Sequence, residues 1–293
     1  MPDGGIGENP PVKVQRLSTT DGFIVWDLDD AKTSAGVVRL APKVLQDGAV
    51  LLARSTTYAF ASFGIAGHAG ASAAINAKPD GRDAAVAAFL EEVRPLAEAG
   101  QLHLAPSTGT SADDLAPLGG GYPDPTLLAS GAIAASRVAG PLDWRTAAVV
   151  GAGPLVDATV AQLSEAGATV VDGRFDSACD VLFVAGKAGV LDHATAEVVQ
   201  ASLVVPLTAV PVTARALAVL GKAGRTVVPD FLSTAAPLLA THDGDGGDPV
   251  QRIRDAALGL ADQGTGMWLA AAQAAEEKLA GWTGEKPFGR PLA

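Results

Sequence analysis

The sequence predicts an α/β protein of two domains that ends in helices, and three observations support this prediction. With 293 residues, of which 48% are hydrophobic and 18% charged, the chain can bury a large core and is long enough for about two domains. Two apolar, partly alternating stretches near the N-terminus, 22–28 and 34–40, have the pattern of strands. Residues 146–171 then follow a strand, turn, helix, strand order, which is typical of a Rossmann-like parallel sheet.

The charge and the termini restrict the possible partners and location. The chain has 32 acidic and 21 basic residues, a formal charge of -11, which repels nucleic-acid phosphates and anionic lipids. Residues 1–20 contain neither the apolar segment of a signal peptide nor an arginine-rich transit pattern, and no long uncharged apolar stretch has the flanks of a membrane span. We therefore expect a cytoplasmic protein that binds neither nucleic acid nor membrane.

Cysteine and histidine usage predicts no metal site and no disulfide. Cys179 is the one cysteine and lies in the apolar run 179–185, where we expect it to behave as a small buried hydrophobic residue. The four histidines are scattered and lack the spacing of metal ligands. They are His68, His103, His193 and His242.

Element signals divide the first half of the chain. Residues 1–21 are predicted to be a flexible arm, and apolar residues recur at helical spacing in 45–61 and 80–99. Thr110 and Ser111 precede a pair of aspartates by three residues, which predicts that a hydroxyl caps a helix. A breaker-rich stretch follows at 119–125, before a helix at 126–138.

The second half begins with the unit that could bind a dinucleotide. The turn after strand 146–150 places backbone amides at the start of helix 157–166, where a pyrophosphate would lie, and strand 168–171 follows that helix. This pattern predicts a cofactor site at Gly151, Ala152, Gly153, Pro154 and Leu155.

The residues after the second strand of this unit bear on cofactor choice. In dinucleotide-binding domains an acid after this strand holds the ribose hydroxyls. The residue expected at that position, 23 residues after Gly151, is Arg174, and Asp172 lies two residues earlier. Arg174 is either a ligand for the 2′-phosphate of NADP or a solvated turn residue. Val156 replaces the third glycine of the turn.

Four segments together resemble the glutamate/leucine/phenylalanine/valine dehydrogenase family: 54–61, 67–72, 76–79 and 105–115. The resemblance extends from about residue 22 to residue 282. It implies an N-terminal α/β domain of the dimerisation and substrate type at 22–140 and a Rossmann-like NAD(P)-binding domain at 141–240. Helices in 241–293 would fold back over the first domain.

Five positions depart from the residues that the resemblance implies for an active dehydrogenase. The affected roles are binding of the substrate carboxylate, the catalytic lysine, the proton-relaying aspartate and two contacts to the nicotinamide. The residues found instead are Ala59, Ser72, Ser107, Leu128 and Ser233. A positioned acid or base contributes roughly 10²- to 10⁴-fold in rate, and a serine without a neighbouring base does not replace it.

The Rossmann-like domain is predicted to be shortened. Soon after Arg174 the chain enters the strand that starts near Cys179, which the family reaches only after a further helix and strand. Ala185 and Gly186 follow that strand and complete the predicted cofactor site. NAD or NADP is the cofactor that the resemblance implies, and the shortened adenine side weakens that expectation.

Three functions fit these observations. The first is a pseudoenzyme that serves as a binding or scaffold subunit. The second is a repurposed enzyme of a specialised pathway, in which His68 acts with Ser72 or Ser107 as base and nucleophile. The third is an NAD(P)-dependent oxidoreductase acting on an amino acid, imine or keto acid. A small-molecule ligand, and assembly as a homo-oligomer or with a related subunit, are expected partners.

Overall fold

The fold is described from a computed structural model, which covers residues 12–119, 124–140, 143–242, 244, 246–283 and 289–293. Predictions for residues 1–11 of the arm and 120–123 of the breaker-rich stretch lie outside these ranges. Within them the chain forms two five-stranded sheets with helices packed around both. None of the described helices combines the length and apolar character needed to cross a membrane.

The first sheet is mixed, with the strand order β1-β2-β4-β3-β5. Its strands are β1 Lys13–Arg16, β2 Gly22–Trp26, β3 Thr33–Ala41, β4 His68–Asn76 and β5 Leu102–Pro106. Its helices are α1 Gln46–Ser62, α2 Arg82–Glu98 and the short α3 Ala112–Leu115. β4, β3 and β5 run parallel, whereas β2 is antiparallel to both β1 and β4.

Helices α1 and α2 cover opposite faces of this sheet. Phe89 and Val93 of α2 pack on one face, and Ala49 and Ala53 of α1 belong to the cluster on the other. α1 lies so close to β4 that a Cβ at Gly70 would overlap the carbonyl oxygen of Ala53. Glycine at this position therefore sets the depth at which the helix packs.

Part of the predicted arm is a strand. Residues 13–16 pair antiparallel with residues 23–26, so the prediction of an arm to residue 21 is wrong for this segment. Its four residues are too few to show an alternating pattern, and none of them is fully buried, so burial of side chains stabilises this strand only weakly. Pairing with β2 supplies the backbone hydrogen bonds that the local sequence does not predict.

The second sheet is entirely parallel, with the strand order β10-β9-β8-β6-β7. Its strands are β6 Thr146–Val150, β7 Thr169–Val171, β8 Val181–Val184, β9 Leu203–Pro206 and β10 Thr226–Val227. The helices are α4 Pro125–Ala139, which leads into the sheet, then α5 Pro154–Glu165, α6 His193–Val198 and α7 Ala214–Lys222. This arrangement confirms the α/β fold with a Rossmann-like parallel sheet.

The connection from β7 to β8 confirms the predicted shortening. Residues 172–180 pass from one side of β6 to the other without a helix or an additional strand. Gly173 lies against β6 so closely that a Cβ there would overlap the carbonyl oxygen of Val149. Phe175 and the half-buried Cys179 pack against the core from this crossover, and burial raises the pKa of the Cys179 thiol.

The C-terminal helices pack back against the first half of the chain. They are α8 Asp230–Ser233, α9 Ala236–His242, α10 Pro249–Leu258 and α11 Met267–Thr283. Arg252 and Lys278 each donate a hydrogen bond of 2.8 Å to a carbonyl oxygen at the end of α1, those of Phe63 and Ser62 respectively. The acidic, glycine-rich sequence 241–249 would be expected to form a loop, but its first two residues, Thr241 and His242, complete α9; residues 243 and 245 lie outside the description.

One core extends through both halves. A single cluster joins Phe60 of α1, Ala132 of α4, Val184 of β8 and Trp268 of α11. The segment 289–293 also bridges the halves: Arg54 donates from Nη1 to the carbonyl oxygen of Gly289 at 2.7 Å, and the amide of Ala214 donates to that of Ala293 at 3.0 Å. The two sheets are therefore joined by side-chain packing and by backbone hydrogen bonds.

Candidate functional site

A cleft of about 490 Å³ lies between the first sheet and the helices α4 and α9. Strands β3 and β5 form its floor, and α1 contributes Thr56 at one side. Its floor residues are Ala35, Gly36, Val37, His103, Leu104 and Ala105. The walls include Leu127, Leu128, Pro237, Leu238, Thr241 and His242.

Strand register explains why this face is open. Val37 pairs with Ser72 on one side and with Ala105 on the other, so these three side chains point to the same face. α1 covers that face over β4, where Gly70 contacts it, whereas β5 is at the edge of the sheet. Beyond α1 this face of the sheet is covered by α4 and α9, which form the opposite wall of the cleft.

Three histidines that are distant in sequence meet at the end of this cleft. The ring of His242 lies 5.0 Å from that of His103 and 5.6 Å from that of His68, measured between centroids. Phe60 contacts both His68 and His242, at 5.1 and 5.4 Å. Burial, and secondarily His103 and His68, lower the pKa of His242 to about 4, so its ring is neutral at pH 7.

Ser72 is at the level of the floor but is not exposed to the cleft. It is fully buried in β4, and its hydroxyl has no hydrogen-bond partner among the described atoms. His68 is four residues away along the same continuous strand, so their Cα atoms are about 13 Å apart. His68 contacts His242, and its Nδ1 lies 3.2 Å from the carbonyl oxygen of Ala66, which can accept a hydrogen bond from that nitrogen.

Ser107 lies in the turn that follows β5. Its amide donates to Oγ1 of Thr110 at 2.9 Å, and the amide of Thr110 donates to the Ser107 carbonyl oxygen at 3.0 Å. The next residues form a capping box between Ser111 and Asp114, which confirms the predicted helix cap. Asp114 also pairs with Arg82, and its pKa is lowered mainly by that contact.

The side chain that precedes Ala59 is engaged elsewhere. Tyr58 donates from its hydroxyl to Glu276 at 3.0 Å, and Arg290 donates to the same carboxylate at 2.7 and 3.1 Å. Burial and the nearby Glu276 raise the pKa of Tyr58. Ala59 itself is 5% exposed and packs in the large core cluster, so this position offers neither a charge nor access to the cleft.

Arg54, the first residue of the family-like motif, is held by a carboxylate. Its Nε lies 2.7 and 2.8 Å from the two carboxylate oxygens of Asp27, and both side chains are buried. Asp27 was not identified from the sequence. Asp27 follows β2, and nothing in the local sequence indicates that it forms an ion pair with Arg54 in α1.

A second buried acid connects α1 with the second sheet. Asp230 accepts a hydrogen bond from the hydroxyl of Ser55 at 2.7 Å and from the amide of Val210 at 2.9 Å. Its burial raises its pKa. Val210 has a φ of 55°, a left-handed conformation that is unfavourable for a β-branched residue, and the bond to Asp230 helps to hold it there.

The other two substituted positions differ in exposure. Leu128 lines the cleft directly. Ser233 is fully buried, and its hydroxyl donates to the carbonyl oxygen of Pro206 at 2.7 Å. Its side chain is therefore used to join α8 to the end of β9.

The predicted diphosphate turn has suitable geometry. Gly151 and Gly153 adopt φ values of 128° and 99°, and α5 begins directly afterwards with Pro154 as its first residue. A Cβ at Gly151 would lie 2.7 Å from the carbonyl oxygen of Ala185, whereas one at Gly153 would have open space. The turn is exposed with Leu155 partly covered, so this half of the site fits a diphosphate at a helix N-terminus.

The ribose side of the predicted cofactor site fits less well. Arg174 donates from Nε and Nη2 to Asp176 at 2.8 and 2.6 Å, and both residues are exposed. Its amide donates to the carbonyl oxygen of Asp172 within the turn at 2.9 Å. The Arg174 guanidinium thus already has a carboxylate partner, as expected for a solvated turn residue. After the neighbouring strand β8, Gly186 exchanges hydrogen bonds with the hydroxyl of Thr208.

The histidine cluster is a set of ring contacts at the end of the cleft. Across the ranges that the structure describes, no three or more histidines, cysteines and carboxylates are placed to hold a metal ion together.

The two sheets, the interdomain cleft and the C-terminal helices define the fold of the amino-acid dehydrogenases. The hetero-hexameric glutamate dehydrogenase of Thermus thermophilus, solved with leucine bound, is similar with a TM-score of 0.72 and 20% identity, over 92% of this chain and 89% of that one. L-tryptophan dehydrogenase of Nostoc punctiforme is similar with a TM-score of 0.69 and 20% identity, over 94% and 97%.

A third similar structure, glutamate dehydrogenase of Peptoniphilus asaccharolyticus, has a TM-score of 0.66 and 15% identity, over 94% of this chain and 92% of that one. No protein-family model matches the sequence, and no curated protein matches it. At these identities the likeness establishes the fold. The resemblance that the motifs indicated is confirmed at that level.

Proposed function

We propose that this protein is an amino-acid dehydrogenase-like pseudoenzyme that binds a small molecule in the interdomain cleft and does not oxidise amino acids. The observation that carries the proposal is the chemistry of the cleft. Among its described lining residues there is no lysine or arginine. An amino-acid substrate would therefore bring its carboxylate into a largely apolar site without a cation, which is energetically unfavourable.

The two positions at which the resemblance implies proton-transfer groups hold none. Ser72 is sealed beneath α1, and Ser107 is tied into a turn with Thr110. Arg54 is paired with Asp27. Oxidative deamination needs a base near the reacting carbon, and a positioned base within hydrogen-bond reach is the first requirement for that role.

A second function is supported by one observation, the diphosphate turn. Gly151 and Gly153 have the backbone conformation of a dinucleotide turn, and α5 directs its N-terminal amides towards it. An NAD(P)-dependent oxidoreductase acting on an imine or keto acid would use this turn, with the dinucleotide supplying the hydride. The repurposed enzyme with His68 and Ser72 has no comparable support, because the two residues are separated along β4.

The test is a direct assay of amino-acid oxidation with both dinucleotides. Glutamate, leucine and tryptophan should give no NADH or NADPH above background at high protein concentration, and their keto acids with ammonia should consume none. Turnover of any of these substrates would overturn the proposal, and comparison of Ser72→Ala with Ser164→Ala, at an exposed serine of α5, would then show whether Ser72 takes part.

Dinucleotide binding is measured separately by the fluorescence of the four tryptophans during titration with NADH and NADPH. Saturable quenching that disappears in Gly153→Asp would support the oxidoreductase, since a carboxylate in the turn repels a diphosphate. No saturable change in the unaltered protein would leave the oxidoreductase without a hydride donor.

Assembly and location complete the proposal. One structural neighbour is a hetero-hexamer, which supports a homo-oligomer of this chain or an assembly with a catalytically active relative; a cytoplasmic location stays a prediction from the sequence. Light scattering of the purified protein and co-purification from its native cell would measure this. A monomer that retrieves no related subunit would contradict it.

A further inference from the structure

The cleft has an unusual charge pattern for a site with this fold. The described lining residues include one carboxylate, that of Asp124, and no lysine or arginine. This carboxylate accepts a hydrogen bond from the amide of Thr126 at 2.8 Å and caps α4, so it has a structural partner. The rest of the lining therefore determines which ligands the cleft selects.

Aliphatic side chains provide most of that lining. They come from four different elements and meet across the cleft, with Val37 on the floor, Leu127 and Leu128 on α4, and Leu238 on α9. A volume of about 490 Å³ lies within the range of sites that enclose small organic molecules. Because apolar surface dominates, transfer of an apolar ligand from water is favourable, while an anion would lose hydration without a cation to compensate it.

Besides Asp124, the polar side chains of the described lining are threonines and histidines, and the two histidines form a pair at one end of the cleft. His103 on the floor and His242 on the wall have ring centroids 5.0 Å apart, and Thr241 lies beside His242. A neutral imidazole offers one donor and one acceptor, and a hydroxyl offers both. This end of the cleft can thus form a hydrogen bond with a single uncharged polar group.

We infer that the cleft binds a small, uncharged, largely apolar molecule that carries one hydroxyl or carbonyl group, with that group at the His103–His242 pair. The inference rests on the proposed function and specifies its ligand class. It differs from an amino-acid substrate in charge, since the cleft offers no cation to a carboxylate and its one carboxylate, that of Asp124, already caps α4. Neutrality of His242 at pH 7, which follows from its lowered pKa, is consistent with this ligand.

The experiment compares three probes that share a toluene body and differ in charge. They are 4-methylphenol, which is neutral, 4-methylbenzoate, an anion, and 4-methylbenzylamine, a cation. We expect calorimetry at pH 7.5 to show saturable binding of the phenol, and at least roughly tenfold weaker binding of both ions, a difference of about 1.4 kcal/mol. Equal or tighter binding of the benzoate, or no binding of the phenol, would overturn the inference.

Two variants test the position of the ligand. Leu128→Lys places a cation in the cleft at a partly exposed site, so it should increase benzoate affinity at least roughly tenfold. Leu128→Met, which conserves volume and neutrality, should leave the order of affinities unchanged. If Leu128→Lys leaves benzoate affinity unaltered, the probes bind elsewhere and the inference is wrong.

A measurement on the unaltered protein makes the test independent of how the variants fold. The imidazole Cε1–H signals of His103 and His242 should shift on addition of 4-methylphenol, while that of the exposed His193 should not. Binding without a shift of either cleft histidine would contradict the inference. Amino-acid turnover is measured in the other assay, so failure of the ligand class and failure of the proposed function are distinguishable.

Discussion

At the scale of single residues, three of the five substituted positions are buried in the packed interior. Ala59 lies in the core, Ser72 is buried in a strand, and Ser233 bonds a backbone carbonyl. A lysine at either of the first two positions would have to bury its ammonium or displace a helix, which is strongly unfavourable. Substitution of lysines at these two positions alone is therefore not expected to create the site that the resemblance implies.

His242 makes a prediction about pH dependence. Its pKa is lowered to about 4 in the folded protein but is about 6.5 in the unfolded chain, so between these values the unfolded state binds more protons. Stability is then lost as pH falls from about 6.5 to about 4. Partial exposure and screening reduce the contribution, which we expect to be about 1 to 2 kcal/mol.

His242→Gln should flatten this dependence, since glutamine does not titrate. Urea unfolding at pH 7.5, 6, 5 and 4.5 measures it, with His193→Gln at an exposed site as control. We expect the control to keep the slope of the unaltered protein. An unchanged slope in His242→Gln would show that His68, His103 or the carboxylates dominate the acid response.

The motifs located the segments of the site, but the sequence did not predict the histidine cluster. His68, His103 and His242 come from β4, β5 and α9, and nothing local relates them. Their proximity arises from parallel strand register and from the packing of the C-terminal half over the first sheet. Asp27 was missed for the same reason, because its partner Arg54 is on a different element.

At the scale of elements, strong periodicity and buried apolar runs were sufficient for much of the prediction. Strand 146–150 matches β6, and helix 45–61 is shifted by one residue at each end relative to α1. Helix 157–166 was placed three residues late at its start because Pro154 was assigned to the turn, although proline is favourable as the first residue of a helix. β1 lacks a local signal altogether.

The crossover between β7 and β8 makes a second prediction. Gly173→Ala should destabilise the protein by about 1 to 3 kcal/mol, because its Cβ would overlap the Val149 carbonyl oxygen and force the backbone away from β6. Thermal unfolding followed by circular dichroism measures the change.

Gly221→Ala is the matched control for that substitution. A Cβ there meets no neighbouring atom, and the residue lies within α7. Alanine should be neutral or stabilise by up to about 1 kcal/mol, since it favours the helix and reduces the freedom of the unfolded chain. Equal effects of the two substitutions would mean that residues 172–180 tolerate movement away from the sheet.

At the scale of the whole molecule, the shared core makes a third prediction. Because α1 and α11 pack into the cluster that also holds β8, the two sheets should unfold together. Differential scanning calorimetry should show one transition in which the calorimetric and van't Hoff enthalpies per folding unit agree. Phe60→Ala should lower that transition without dividing it, at a cost of about 3 to 5 kcal/mol. Two separated peaks would contradict a common core.

The imidazole pair has a further consequence, because one of its rings belongs to β5 and the other to α9. Each ring lies in the ring-current field of the other, and the resulting change in chemical shift falls steeply with separation. Any hinge-like parting of the two halves would change both resonances together. The chemical shifts of these two imidazoles would therefore report the opening of the cleft in solution, without an attached label.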